Sequence, residues 1–418
     1  MKTFYKMDGN KDIKNIKHGS IIPLAGGFSI GAANVTGKPP EVIFSYTPFA
    51  SNDTLMRRYF KKKGYDIPYY VLDDKNTNLQ QIKKLYEGRI DFFHGIPPCS
   101  GLSQAAQRKA GSRGSAPPND WMYESAKFLL GDIRPQVYAF ENAPTLYTGA
   151  GDSVRERLVE IGKEFGYAIT FYKTNTLKHG VPQFRPRTFG LFYKGEHAPI
   201  LEGYDRKSPH ITEYLKQIPE NTSLQNEYVT PEWDITKFEI FSYLNELYGK
   251  DWRKVLNDYR PHLTTYDYLM RVNLLDDFQE WQKKHPNASK IVTDNIAHIK
   301  KKREMGKGAR INYRVLEVDK DYTYAVIGEM MAKQVHPLED RLMNMREYMH
   351  LMGMPHDYEL ETPKEYVKIS QNVPVKTCED ITTEIIETIK GNRRLSAKSV
   401  YMQDNTKQII NNKSKSLF

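Results

Sequence analysis

Ser20-Ile21-Ile22-Pro23-Leu24-Ala25-Gly26-Gly27-Phe28-Ser29 is the stretch on which the reading of this chain turns. Its first half, Ser20–Leu24, predicts a short strand; Gly26 and Gly27 then supply a turn into a helix. Working outward, Val42–Tyr46 predicts a second strand, and Asn52 predicts the N-cap of a helix through Lys63 that Gly64 ends. Tyr69–Leu72, Ile90–Phe93, Val137–Phe140 and Ala168–Tyr172 are further short apolar or aromatic runs. Between the last two, Val154, Leu158, Ile161 and Phe165 recur at helical spacing and mark one buried face. Strands alternating with helices predict an α/β fold, a parallel sheet covered on both sides. Ligands in such sheets collect beyond the C-terminal ends of the strands.

The 418 residues leave room for two domains, or one large domain with an insertion. Aromatic residues make up 12 % of the chain, which excludes a mostly disordered polymer. No stretch approaches the about 18 consecutive apolar residues of a membrane span, and Met1-Lys-Thr-Phe-Tyr-Lys lacks the apolar core of a signal peptide. Only Cys99 and Cys378 occur, so neither a disulfide framework nor a cysteine-rich metal site is expected; a reducing, cytosolic compartment follows. The net charge of +10 favours a polyanionic partner. From about 200 to 335 the alternation is lost, and Lys300–Arg314 carries seven basic residues against one acidic. That run is either a solvated helix face or a phosphate-contacting surface. Periodic structure resumes near 341 and ends in a helix with Ile381, Ile385 and Ile389 four apart. The stretch 391–418 is basic and polar and is expected to be a mobile tail.

Three segments could carry chemistry. In Gly95-Ile96-Pro97-Pro98-Cys99-Ser100-Gly101-Leu102-Ser103, two prolines stiffen the chain ahead of a thiol set at a strand end, where a nucleophile is useful. The alternative is a buried structural cysteine, a reading that suits Cys378 on its apolar helix face better than Cys99 among loop formers. In Phe140-Glu141-Asn142-Ala143-Pro144 the carboxyl is either a proton donor at the sheet edge or a solvated side chain. Gln183-Phe184-Arg185-Pro186-Arg187 brings two guanidinium groups beside a strand, to pair structurally or to bind an anion or a base carbonyl.

In this order, a Pro-Pro-Cys loop, Glu-Asn and Gln-x-Arg-x-Arg resemble the DNA cytosine-C5 methyltransferase family of bacterial and phage type. Leu24-Ala25-Gly26-Gly27-Phe28-Ser29 is similar to part of that family's glycine-rich cofactor loop. His336-Pro337, Arg341, Arg346-Glu347 and Leu351-Met352-Gly353-Met354-Pro355 are similar to the segment after its target-recognition domain. Ser370-Gln371-Asn372-Val373-Pro374-Val375 is similar to its last motif. The resemblance implies a Rossmann-like S-adenosylmethionine-dependent methyltransferase fold with a smaller, irregular target-recognition domain. The implied layout is a catalytic and cofactor domain over 1–197, target recognition over 198–340, a return to the first domain over 341–390, and then the tail.

It also implies that the Cys99 thiolate adds to C6 of a cytosine swung out of double-stranded DNA, activating C5 towards the methyl group of S-adenosylmethionine. Glu141 would serve N3; Arg187 would hold the base carbonyl, and Arg185 would support the loop or join in catalysis. The cofactor would meet Leu24, Ala25, Gly26, Gly27, Phe28, Thr47, Asp73, Pro97, Gln371, Asn372 and Val373. The DNA would meet Ser103, Gln104, Arg108, Lys109 and Arg113 in a closing loop, and Lys301, Lys302, Arg303 and Arg310; as an alternative, the loop is an ordinary surface loop. A monomer in the cytosol of a bacterium or phage-infected host is expected. The chain departs from the family pattern around the cofactor: the first loop lacks its aromatic residue and first glycine, and Thr47 stands where an acid usually follows the second strand. Two further readings therefore stay open, C5 modification with a different or modified donor, and a non-catalytic DNA-binding protein on this scaffold.

Overall fold

A computed structural model describes residues 15–98, 101–102, 117–219, 239–252, 254–255, 269, 272–286, 314–315, 322–327, 334–339, 343–362 and 365–406. The first compact unit comprises Met1–Ser208, Met352–Met354 and Gln371–Phe418; the second comprises Pro209–Leu351 and Pro355–Ser370.

An eight-stranded sheet organises the first unit. Its strands are β1 (His18–Ile21), β2 (Ile43–Ser45), β3 (Tyr69–Val71), β4 (Phe92–Gly95), β5 (Val137–Asn142), β6 (Tyr167–Asn175), a β8 (Pro186–Lys194) reached through the short β7 (Gln183–Phe184), and a C-terminal strand, Val400–Asp404. The order runs C-terminal strand, β6, β8, β5, β4, β1, β2, β3. The pairs among β3, β2, β1, β4 and β5 are parallel, as is the C-terminal strand on β6, but β8 lies antiparallel between β5 and β6. The expected all-parallel sheet is corrected at that strand: the tight 176–186 connection returns the chain beside β6, which permits only an antiparallel partner.

Continuous burial of β1, β2, β4 and β5 follows from helices on both faces. These include α1 (Gly27–Thr36), α2 (Thr54–Lys62), α3 (Leu79–Tyr86), α4 (Asp120–Lys127), α5 (Asp152–Phe165) and the last helix, Val375–Ile389. In α5 the predicted Val154, Leu158 and Ile161 are buried. The last helix buries Ile381, Ile385 and Ile389 as expected, and Cys378 with them. A Cβ on Gly31 of α1 would lie 2.7 Å from the Cys378 Cβ, so glycine is what lets these two helices touch.

Two expectations about the C-terminal half change. Residues 391–406 are an ordered part of the first unit: Val400–Asp404 pairs with β6 from Val400↔Ile169 to Asp404↔Lys173. The Asp404 carboxylate meets the Lys173 ammonium at 3.3 Å. Most of 341–370 belongs to the second unit rather than returning to the first. There Asn344 and Glu347 exchange side-chain and main-chain bonds, the Asn344 amide to Glu347 at 2.8 Å and the Glu347 amide to Asn344 at 2.9 Å, which starts the helix Met345–Leu351. Its Tyr348 ring packs 5.2 Å from that of Tyr366. Among the described residues no helix is long and apolar enough to cross a membrane.

Candidate active site

Glu141 and Asn142 end β5, opposite Phe189 and Thr188 of β8. At that position the strand points Glu141 inward; the residue is 3 % exposed, so the solvated reading is excluded. Burial pushes its carboxyl up from the usual carboxylate range, and the charges of Arg187 and then Arg185 oppose the shift. Arg187 Nε lies 2.5 Å from Glu141 Oε1 in an ion pair, and its Nη1 donates to the Pro186 carbonyl at 2.8 Å. Asn142 turns the other way. Its amide Nδ2 lies 3.4 Å from both the Pro97 and Pro98 carbonyl oxygens, while its Oδ1 accepts the Ala143 amide at 2.9 Å. One strand end thus carries a buried acid and clamps the Pro-Pro loop.

Arg185, two residues before Arg187, is engaged with the main chain. Its amide donates to Asn175 Oδ1 at 3.2 Å and its Nη2 to the Asn372 carbonyl at 2.7 Å. Asn372 Oδ1 in turn accepts the Gly27 amide at 3.1 Å. The hairpin bearing Arg187, the segment before the last helix and the start of α1 are therefore tied in series. Arg185 is a brace in this arrangement, and it acts on Glu141 through its charge.

On the cofactor side the backbone is strained. Ile22 and Leu24 adopt φ of 47° and 52°, and Gly26 adopts 85°. Leu24, Ala25, Gly26, Gly27, Pro97, Asn372 and Val373 are buried around this turn, and Gln371 is exposed. Phe28 departs from its expected role: its ring stacks on His94 at 4.9 Å and meets Phe189 edge-on at 6.0 Å, inside the core. Thr47 and Asp73 come together at the ends of β2 and β3, where Asp73 Oδ1 accepts from the Thr47 amide at 2.7 Å and its hydroxyl at 3.0 Å. An exposed carboxylate is thereby held at the position where the sequence lacks one. Asp73 suits a sugar hydroxyl, and the N-terminus of α1 suits a carboxylate. The residues present fit S-adenosylmethionine.

Sequence reasoning missed Asp53. It, rather than Asn52, is the N-cap residue of α2, yet its side chain makes no capping bond. The carboxylate turns into the protein instead, accepting from the Leu24 amide at 3.0 Å, from Ser45 Oγ in a very short bond, and from the Tyr69 hydroxyl at 3.3 Å. Its signal was an acid at a helix start, easily read as an ordinary cap. The expected roles of Cys99, of Ser103, Gln104, Arg108, Lys109 and Arg113, and of Lys301, Lys302, Arg303 and Arg310 fall outside the described residues.

A family model described as C-5 cytosine-specific DNA methylase matches residues 18–387. Among curated relatives, the type II methyltransferase M.PspPI of Psychrobacter sp. (strain TA137) is 24 % identical over 327 residues, 73 % of this chain and 65 % of that protein. The type II methyltransferase M.AgeI of Thalassovita gelatinovora is 28 % identical over 102 residues, 24 % of this chain and 23 % of that protein. These matches span less than two thirds of the relatives' lengths. The Entamoeba histolytica methyltransferase EhMeth superposes with a TM-score of 0.54 at 12 % identity, covering 90 % of this chain and 99 % of that one. A DNA modification methyltransferase encoded within an E. coli prophage gives 0.54 at 14 % identity with the same coverage. The solved structures share the fold, and the family match spans seven of the sheet's eight strands, the acid-bearing strand among them, and most of the last helix: the chain belongs to the C-5 cytosine-specific DNA methylase family.

Proposed function

We propose that this protein transfers a methyl group from S-adenosylmethionine to C5 of a cytosine flipped out of double-stranded DNA. The observation that carries the reading is the ion pair between the buried Glu141 at the end of β5 and the half-buried Arg187 of β8, beside an asparagine that grips the two residues preceding Cys99. S-adenosylmethionine supplies the activated methyl group when bound; Asp73 and the turn before α1 are the residues that would hold it.

In this mechanism the Cys99 sulfur forms a bond to C6 of the base, and the ring electrons move towards C5 and N3. Glu141 faces N3. Burial has raised its proton affinity, which suits a carboxyl that must donate a hydrogen bond or proton to a ring nitrogen. Arg187 balances the ionised form of Glu141 and offers its remaining N–H groups to the base carbonyl. After methylation, loss of the C5 proton and departure of Cys99 restore the aromatic ring. Asn142, by gripping Pro97 and Pro98, limits the freedom of the chain that presents the thiol. Swinging the base out of its stack costs a few kcal/mol, which basic residues along 103–113 and 301–310 are suited to offset through phosphate contacts.

The type II names of the relatives point to protection of DNA in a restriction–modification setting. Digesting modified duplex to nucleosides and weighing them tests the reaction. The reading expects 5-methylcytosine, dependent on added S-adenosylmethionine; a different C5 substituent, or an unmodified duplex, contradicts it.

A further inference from the structure

Three hydrogen-bond donors from three parts of the fold converge on the Asp53 carboxylate: the Leu24 amide, the Ser45 hydroxyl at the end of β2 and the Tyr69 hydroxyl on β3. Asp53 is wholly buried, and it forgoes the capping bond its place at the start of α2 would allow. An acid in this place that turns away from its own helix breaks a local rule, and such breaks mark functional constraints.

The residue it reaches is the strained one. Leu24 sits at φ 52°, a region L side chains avoid and glycine enters freely. A second contact supports the same turn: a Cβ on Gly26 would lie 2.6 Å from the Met56 Cγ, so α2 is packed directly against it. The turn is thus fastened from α2 at two adjoining points.

We propose that Asp53 is the positioning residue of the cofactor site, its carboxylate holding the left-handed backbone at Leu24 in the shape that receives S-adenosylmethionine. The proposal rests on the cofactor reading given above. It accounts for a turn with leucine at the position where glycine would adopt the same path unaided: the side chain of Asp53 supplies the constraint that the backbone lacks. All three contacts are donated to Asp53, so the network suits the carboxylate form, the stronger acceptor. The groups facing it are the Tyr69 phenol from β3 and Arg57 of its own helix, whose guanidinium stacks 4.0 Å above the Tyr69 ring. Burial pushes Asp53 up to about 7, so the carboxylate form is gained across neutrality.

The test is calorimetric titration of the full chain with S-adenosylhomocysteine at pH 6, 7 and 8 (a series spanning about one unit either side of neutrality), with duplex DNA binding measured in parallel. Wild-type affinity is expected to rise with pH, and Asp53→Asn to lose that slope. Asp53→Ala is expected to bind the probe about tenfold more weakly, the scale of an unsupported left-handed residue, while its DNA affinity stays unchanged. Adding Leu24→Gly to Asp53→Ala should restore most of the lost affinity, since glycine needs no clamp at that φ. Rescue separates control of the turn from a general packing defect. If Asp53→Ala fails to fold, the near-isosteric Asp53→Asn still carries the test through its pH profile. Wild-type affinity in Asp53→Ala, an undiminished pH slope in Asp53→Asn, or failure of the glycine rescue overturns the proposal while leaving the cofactor reading intact. A wild-type chain that binds no S-adenosylhomocysteine at any pH overturns that reading and the proposal with it.

Discussion

Gly27→Ala sets two effects of opposite sign against each other. Gly27 opens α1, and helix propensity alone favours alanine there by up to about 1 kcal/mol. Packing opposes it. The added Cβ would sit 2.3 Å from the Val373 carbonyl oxygen and 2.6 Å from Asn372 Nδ2, where ordinary contact begins at 3.4 Å. One obstacle is main chain, so relief requires the segment before the last helix to back away, loosening the Gly27–Asn372 hydrogen bond at 3.1 Å. Overpacking of about 1–3 kcal/mol and a hydrogen bond of about 1 kcal/mol sum to roughly 2–4 kcal/mol, which exceeds the propensity gain. Scanning calorimetry should show a Tm lower by about 2–6 °C. Gly37→Ala is the control: no atom lies within 4 Å of its Cβ, and only its φ of 72° resists substitution, a cost of about 1–2 kcal/mol. A Gly27→Ala protein as stable as the parent would refute the close docking of 372–373 on α1.

The other predictions concern the site directly. Glu141→Gln should slow single-turnover methyl transfer by about 100-fold or more with duplex affinity unchanged; an unaltered rate would remove Glu141 from the chemistry. Arg185→Met should cost about 3 kcal/mol by removing a buried charged donor from the Asn372 carbonyl, and Arg185→Lys should not restore it, because a shorter side chain ending in a compact ammonium does not place a donor where the planar guanidinium's Nη2 reaches; full stability of either variant in urea melts would contradict the brace. Asp53 also predicts a stability effect. Its pKa rises from 3.8 unfolded to about 7 folded, so the native state holds the extra proton and stability falls as pH rises between those values. The ionised form at pH 8 carries a penalty on the order of 4 kcal/mol. Asp53→Asn should therefore gain stability relative to the parent as pH is raised from 4 to 7; a constant difference in urea midpoint across that window would show that the carboxyl is not shifted.

The strands β2, β4 and β5 were legible because they are buried on both faces and so read as short apolar or aromatic runs. β1, expected over Ser20–Leu24, instead runs His18–Ile21, because the left-handed backbone at Ile22 and Leu24 ends it early and its His18-Gly19-Ser20 start carries no apolar signal. α5 and the last helix announced themselves through 3.6-residue spacing. β8 was obscured because it starts in the arginine-rich Gln183–Arg187 segment, and no period in a sequence encodes strand direction. The C-terminal strand Val400–Asp404 is half-exposed and includes Gln403 and Asp404, so its composition matches a tail. At the candidate site, Glu141, Arg187 and Asn372 were singled out by their order along the chain, yet their division into ion pair and brace depends on contacts between distant segments. Phe28 shows the opposite limit: a residue inside a cofactor-loop match can still point into the core. Asp53 escaped because its function lies in where its side chain turns, which the residue type at a helix start does not reveal.

Whether the sulfur of residue 99 attacks a pyrimidine can be read from an intact-mass measurement on the chain mixed with S-adenosylmethionine and a duplex containing 5-fluorocytosine, whose C5 fluorine blocks the final elimination. Cys378, fully buried and with its thiol pushed well above the ordinary cysteine range, is the internal control. The account predicts one covalent adduct per chain, mapped to the peptide containing Cys99 and absent from Cys99→Ala. A chain that stays unmodified, or an adduct at any other residue, would contradict it.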